Sequence, residues 1–139
     1  MAKNGGEVWT AAGKSQDDFM RKDECILLDF ADNVIGHDNK YNAHKWVVGQ
    51  PRGMLHRAFS VMLFDKSGRL LLQQRASDKI TFPDVWTNTC CSHPLYGMAP
   101  SEVDAPEATL KGQPLGVFHA AIRKLDHELG IAPSDLDVN

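Results

Sequence analysis

A chain of 139 residues, 42% hydrophobic and 24% charged, is long enough for one buried core and short for two, and it lacks the composition of a disordered segment. Its formal net charge of −3 excludes recognition of nucleic acid or an anionic membrane by bulk charge, so a phosphate-bearing ligand must be held by local cations. Three cysteines, Cys25, Cys90 and Cys91, form no disulfide framework, and no apolar run approaches the roughly 20 residues of a membrane span; the default compartment is the reducing cytosol.

The first residues are Gly-rich and polar, with neither the apolar stretch of a secretory signal nor the Arg/Ser bias of a transit peptide. They read as a flexible leader over residues 1–22, followed by one domain over residues 23–139. Cys25-Ile26-Leu27-Leu28-Asp29 is a short apolar run with the length of a buried strand, and Ala31-Asp32-Asn33 is turn chemistry that lets Val34-Ile35-Gly36 return as a second strand. Asn39 to Met54 shows no strong period and reads as loop. Ala58 to Phe64 and Arg69 to Arg75 are β-rich runs flanking Asp65-Lys66-Ser67-Gly68, a turn with Asp first and Gly last, and predict a hairpin.

Ala76 to Leu95 is irregular and concentrates the unusual residues, and Tyr96 to Pro114 reads as a long loop. Leu115 to Leu129 repeats Val117, Ala121, Leu125 and Leu129 at helical spacing; Gly130 stops the helix and Pro133 follows the exit. The order of elements predicts an α+β or α/β fold. Only one long helix is available for about four strands, so further elements are expected beyond Asn139 to bury the remaining sheet face. By itself the chain is expected to be marginally stable and prone to aggregate.

Chemistry-bearing residues cluster in Trp86-Thr87-Asn88-Thr89-Cys90-Cys91-Ser92-His93-Pro94, a loop-like stretch of thiols, hydroxyls and an imidazole. His93 reads as a metal ligand, a base or a packed loop residue. His44 and His56 could join it on one divalent ion, although the spacing is not that of a zinc finger and ordinary surface or core histidines would look the same. His37, His119 and His127 read as solvent-facing. Lys40, Arg75 and Lys79 are candidate phosphate contacts or plain surface charge. Arg123-Lys124-Leu125-Asp126-His127-Glu128-Leu129-Gly130-Ile131 has the spacing of the second half of a Nudix box, in which a helix presents carboxylates to Mg²⁺ on a diphosphate. Lys124 and His127 stand where the hydrolase motif has Glu, and Leu115 and Thr109 stand where it has an upstream Glu and Gly, so a diphosphate hydrolase is the weaker reading.

In order along the chain, Asp23-Glu24-Cys25-Ile26-Leu27-Leu28, Gly36 to His44, Leu55-His56-Arg57-Ala58-Phe59-Ser60-Val61, Leu71 to Ala76 and Thr81 to Leu95 resemble type I isopentenyl-diphosphate Δ-isomerase, with the Cys-Cys-Ser-His form of its eukaryotic branch. The resemblance runs from Asp23 to Ile131 and implies a Nudix-like mixed sheet sandwiched by helices, with the later strands and the C-terminal helix missing here. It implies that Cys91 is a catalytic proton-transfer group and that His44, His56 and His93 are ligands of an active-site divalent metal. It further implies that Lys40, Arg75, Lys79 and Ser92 meet the substrate, and that Glu128 helps hold a substrate-bound Mg²⁺. Mg²⁺ is the expected cofactor, with Mn²⁺ or Zn²⁺ suited to the histidines. The family's second catalytic group lies in a downstream Glu-X-Glu, which the 139 residues do not contain; activity of this chain alone is therefore in doubt. The expected partner is an isoprenyl diphosphate, with no nucleic acid or membrane, on a cytoplasmic monomer; plastid and peroxisome stay compatible. A Nudix-type hydrolase and a non-catalytic diphosphate-binding remnant are the alternatives.

Overall fold

The computed structural model describes residues 16–46, 48–49, 53–79, 81–105, 107 and 110–136. Residues 1–15 of the expected leader lie outside them, while Gln16–Lys22 forms helix α1, which packs on a second short helix.

Strand β1 (Glu24–Leu28) turns back into β2 (Val34–Asn39) as an antiparallel pair, with Ile26 opposite His37. The turn is held by Asp29, whose carboxylate accepts from the backbone N–H of Ala31 and Asn33 and from the Asn33 side chain, and by Asp32 at φ 63°. These bonds to the ionised form keep the Asp29 carboxyl below its usual range, the Asn33 amide contributing most. Cys25, Ile26 and Leu28 are buried and, with Ala43, Cys90, Leu95, Ala120 and Leu125, make up the buried apolar core.

The expected loop after Asn39 begins instead with a helix, α2 (Lys40–His44). Asn39 caps it: its side-chain oxygen accepts from the Asn42 N–H at 2.8 Å, satisfying a donor that a first turn leaves open. A helix of five residues is too short to show a hydrophobic period, which is why the segment read as loop.

The hairpin is present at its tip. The Asp65 N–H donates to the Arg69 carbonyl and the Arg69 N–H to the Asp65 carboxylate, Phe64 bridges Leu70, the Leu71 N–H donates to the Leu63 carbonyl, and Gly68 takes φ 75° at the turn. The ladders farther out depart from the expectation. β3 (Phe59–Val61) pairs antiparallel with β6 (Cys90–Ser92), setting Ser60 opposite Cys91, while β4 (Gln73–Gln74) pairs with β5 (Trp86–Thr87). Thr89, fully buried, links the two sets: its hydroxyl accepts from the Leu63 N–H at 2.9 Å and donates to the Leu71 carbonyl at 2.7 Å.

Helix α3 (Gly116–Leu129) matches the sequence expectation to within a residue and ends on Gly130 at φ 65°, a left-handed cap. Gly116 lies against the Glu102 backbone so closely that a Cβ there would run into the Glu102 carbonyl. Its N–H donates to Asp104 at 2.7 Å. A 3-10 turn, Pro133–Asp135, follows. The fold is α+β, and every ladder among the described residues is antiparallel, in three two-stranded pieces rather than one mixed sheet. Many large apolar side chains stay outside the core, including Phe30, Ile35, Met62, Phe64 and Phe82.

Candidate metal centre

Three histidines far apart in sequence share one place. The ring centroids of His44 and His56 are 4.6 Å apart, those of His44 and His93 4.7 Å, and those of His56 and His93 5.1 Å. Each comes from a different element: His44 ends α2, His56 lies on the segment leading to β3, and His93 follows β6. β1 is the common support. Leu27 bridges His56 and Cys25 bridges Leu95, two residues beyond His93; the backbone bonds Leu28 to Leu55, Arg57 to Ile26 and Tyr96 to Glu24 clamp both segments to that strand.

The ring nitrogens are prepared for a cation. Nδ1 of His44 lies 2.7 Å from the Lys40 carbonyl and Nδ1 of His56 lies 2.8 Å from the Met54 carbonyl. A carbonyl only accepts, so each Nδ1 carries the proton and each Nε2 presents a lone pair, the arrangement that second-sphere carbonyls impose on ligating imidazoles. Nδ1 of His93 is buried with no hydrogen-bond partner. Burial lowers the His93 pKa to about 3, with the charges of Lys40, His44, His56 and Lys124 acting in the same direction. Burial likewise lowers His44, partly offset by its bond to Lys40. At neutral pH His44 and His93 are therefore uncharged donors. Cys25 stands beside them: ligand atoms of Cys25, His44 and His56 all lie within 4.8 Å of one another. Burial pushes its thiol up to about 11. The donor set fits a divalent ion.

Lys40 and Lys124 act electrostatically on His93. Lys40 is the first residue of α2, and desolvation lowers its pKa against the raising pull of Asp23. Glu128 lies on α3, where it pairs with Lys124 at 2.7 Å and accepts from the Gln73 amide at 3.4 Å. Burial alone would raise Glu128; the Lys124 contact and charge, the Gln73 bond and the charge of Lys79 outweigh it and leave its pKa lowered. Lys40, Lys79 and Lys124 thus all act electrostatically on the surroundings of Glu128. Arg75 turns inward to its own loop, its Nε and Nη2 donating to the carbonyls of Thr81 and Phe82. Ser92 is half-buried opposite Phe59.

The cysteines divide by strand alternation. Cys90 is buried, and desolvation raises its thiol to about 11, while Cys91 is exposed; all three cysteines are free thiols. Trp86 is 64% exposed, which rules out core filling for it. Of the histidines expected to face solvent, His37 does so but stacks on Tyr96 at 3.9 Å and pairs with Glu24, whereas His119 and His127 are half-buried against or within α3. Burial lowers the His127 pKa.

Two supports escaped the sequence reading. Glu102, 2% exposed in the expected loop, accepts from Arg123 Nε at 2.5 Å and Nη2 at 2.9 Å and from the Leu95 N–H at 2.7 Å. Arg123 Nη2 also donates to the His93 carbonyl at 3.3 Å. The second is Lys124, which stood out in the sequence only as a departure from the hydrolase motif; its i,i+4 spacing to Glu128 was the signal of its role.

Fold and site together define a small α+β protein with a cluster of three imidazoles fit for a divalent metal, on which Lys40 and Lys124 act electrostatically. No protein-family model matches the chain. Among curated proteins it is 50% identical over 136 residues to isopentenyl-diphosphate Delta-isomerase I of Camptotheca acuminata, covering 96% of this chain and 54% of that relative. It is 53% identical over 120 residues to isopentenyl-diphosphate Delta-isomerase II of Clarkia breweri, and 52% identical over 120 residues to the chloroplastic isopentenyl-diphosphate Delta-isomerase II of Arabidopsis thaliana, covering 86% of this chain and 39% of each relative. The chain thus spans about half, or less, of the length of the curated relatives it matches. These similarities support the isopentenyl-diphosphate Delta-isomerase family.

Proposed function

We propose that the chain carries the metal- and diphosphate-binding part of an isopentenyl-diphosphate Δ-isomerase on a Nudix-like framework, and that the full site interconverts isopentenyl and dimethylallyl diphosphate. The observation that carries the reading is the convergence of His44, His56 and His93 on one place beside the Cys-Cys-Ser-His strand. The roughly 50% identity to proteins named for this reaction supports it.

The reaction adds a proton to the terminal carbon of an unactivated alkene and removes another from the neighbouring methylene. An alkene is a very weak base, so the acid must be positioned, and the tertiary cation must be kept from water. Cys91 supplies one proton-transfer group, on the strand leading into His93. Lys40, Arg75, Lys79 and Ser92 meet the diphosphate, and Glu128, held ionised by Lys124, helps place a substrate-bound Mg²⁺. His44, His56 and His93 hold a divalent ion, which supplies positive charge at the reacting centre. In the full site, as the family resemblance has it, the second proton-transfer group and two further carboxylate ligands come from a downstream Glu-X-Glu, so that protons are given and taken on both faces of the alkene. The protein works in the cytoplasm or, as two Arabidopsis relatives are described, in the plastid. Among the described residues no helix is long and apolar enough to cross a membrane.

Calorimetric titration of the metal-loaded chain with isopentenyl diphosphate, followed by phosphate assay of the mixture, tests this. Metal-dependent binding that weakens at least tenfold in Lys40→Ala, without phosphate release, is expected. Steady phosphate release from isoprenyl or nucleotide diphosphates, or binding indifferent to metal and to Lys40, contradicts it.

A further inference from the structure

The segment that delivers His56 is not held by burial. None of residues 53–60 is buried, and Met54 and Leu55 are largely exposed. On one side it meets β1, where the Leu28 N–H donates to the Leu55 carbonyl at 3.0 Å and the Arg57 N–H to the Ile26 carbonyl at 3.3 Å. Its other anchor is a side chain. Building on the reading that His44, His56 and His93 hold a metal, we propose that Arg57 is a positioning residue for that centre: its guanidinium pins the backbone at His56 to the β1–β2 turn and to the start of α3, and so sets where the His56 ring points.

The guanidinium reaches both places at once. Nη1 donates to Asp104 Oδ2 at 2.5 Å. Nε donates to Asp32 Oδ1 at 3.3 Å, and Nη2 lies 3.2 Å from both Asp32 Oδ2 and the Asp32 carbonyl. A planar fork of donors suits such a bridge, and a lysine cannot reproduce it. Asp104 is itself fixed. Its Oδ1 accepts the Gly116 N–H at 2.7 Å, an open donor of the first turn of α3, whose N-cap Leu115 gives no side-chain bond. The Arg57 side chain is 19% exposed and that of Asp104 29%, so this contact is better shielded from water than an ordinary surface pair.

Neighbours in an extended chain point to opposite sides. Arg57 therefore grips from the side away from the imidazoles, and its charge is spent on two carboxylates rather than on repelling a cation. What it fixes is the backbone. His56 keeps its proton on Nδ1 by facing the Met54 carbonyl at 2.8 Å, two residues back in the same segment. If the segment drifts, that bond loosens, and Nε2 no longer stands as a lone pair aimed at His44 and His93.

Long-range proton–nitrogen correlation spectra of the histidine rings in the metal-free chain at pH 8, assigned with His56→Ala, test this beside Zn²⁺ competition with a chromophoric chelator. The unmodified chain is expected to show His56 as the Nδ1–H tautomer. In Arg57→Ala the His56 signals move to the averaged tautomers of a free imidazole, His44 keeps its own, and Zn²⁺ affinity falls about tenfold or more. Arg57→Lys, with one point charge, restores part of both. Asp104→Asn keeps an acceptor for Gly116 but weakens the Arg57 contact, and shifts both readouts the same way; it decides the matter if Arg57→Ala does not fold. Thr89→Val, which loosens the core elsewhere, is expected to leave the His56 tautomer unchanged. An unaltered His56 tautomer and Zn²⁺ affinity in the folded Arg57 or Asp104 variant, or an equal change in Thr89→Val, overturns the role of Arg57 and leaves the three-histidine site standing. An unmodified chain that takes up no Zn²⁺ overturns the metal reading and this proposal with it.

Discussion

Replacing Glu102 by Ala tests how the site is held. Glu102 is 2% exposed and accepts three hydrogen bonds, two from Arg123 and one from the Leu95 N–H. The Arg123 side chain is itself only 15% exposed, so the substitution strands a buried guanidinium and a buried N–H together. Breaking a buried ion pair from one side costs about 3–5 kcal/mol, and an orphaned N–H adds about 1–3 kcal/mol. The terms overlap, because Arg123 can move toward water. A net loss of about 4 kcal/mol is the working figure, a large share of the 5–15 kcal/mol typical of a domain. Glu102→Gln, which keeps acceptor geometry for some of the bonds but removes the charge, loses about half as much. Because Arg123 also holds the His93 carbonyl, Glu102→Ala weakens Zn²⁺ binding as well, by about tenfold or more. Urea unfolding followed by circular dichroism gives the stability and zinc competition with a chromophoric chelator gives the affinity. A stability loss below about 1 kcal/mol with unchanged zinc affinity refutes the claim that this buried pair organises the His93 segment.

Thr89→Val removes one hydroxyl that serves both the Leu63 N–H and the Leu71 carbonyl, and costs about 2 kcal/mol by urea unfolding; a cost within about 0.5 kcal/mol of zero contradicts the bridging role. The chain stripped of metal loses stability as pH falls. His93 has a folded pKa of about 3 against an ordinary 6.5, so between those values the unfolded chain binds the proton and the folded one does not. Stability therefore rises with pH across that window, by at most about 1.4 kcal/mol per pH unit from this group, and is fully present above 6.5. The lowered His44 acts in the same direction, and Glu128, also lowered, contributes stability that is lost as pH falls through its folded value. Urea midpoints of the metal-free chain at pH 7.5, 6 and 5 that stay level or rise toward acid contradict the burial of a neutral His93.

Local signals carried the parts of the fold that are local. The Asp29 to Asn33 turn with its flanking apolar runs, the Asp65 to Gly68 turn, and the 3.6-residue period ending in Gly130 each lie within a few residues of what they specify. Pairings between distant segments were not legible. The β-rich runs before and after Gly68 announced strands, but that β3 would choose Cys90–Ser92 depends on Thr89 reaching Leu63 and Leu71 at once. Glu102 looked like one acidic residue in a polar loop because its partner, Arg123, lies twenty-one positions away on α3. The three histidines showed no ligand spacing, since each lies on a separate segment and β1 aligns two of those segments; the residues alone offered their grouping as one option, the family resemblance made it an expectation, and neither pointed to Cys25.

The account rests most heavily on His44, His56 and His93 sharing one ion. Titrating the metal-free chain and its three single histidine-to-alanine variants with Zn²⁺, against a chromophoric chelator, measures that directly. One ion per chain, with affinity lowered ten- to a hundredfold or more by each substitution and all four proteins folded by circular dichroism, is the predicted result. Affinity that is unchanged when any one of the three imidazoles is removed contradicts it.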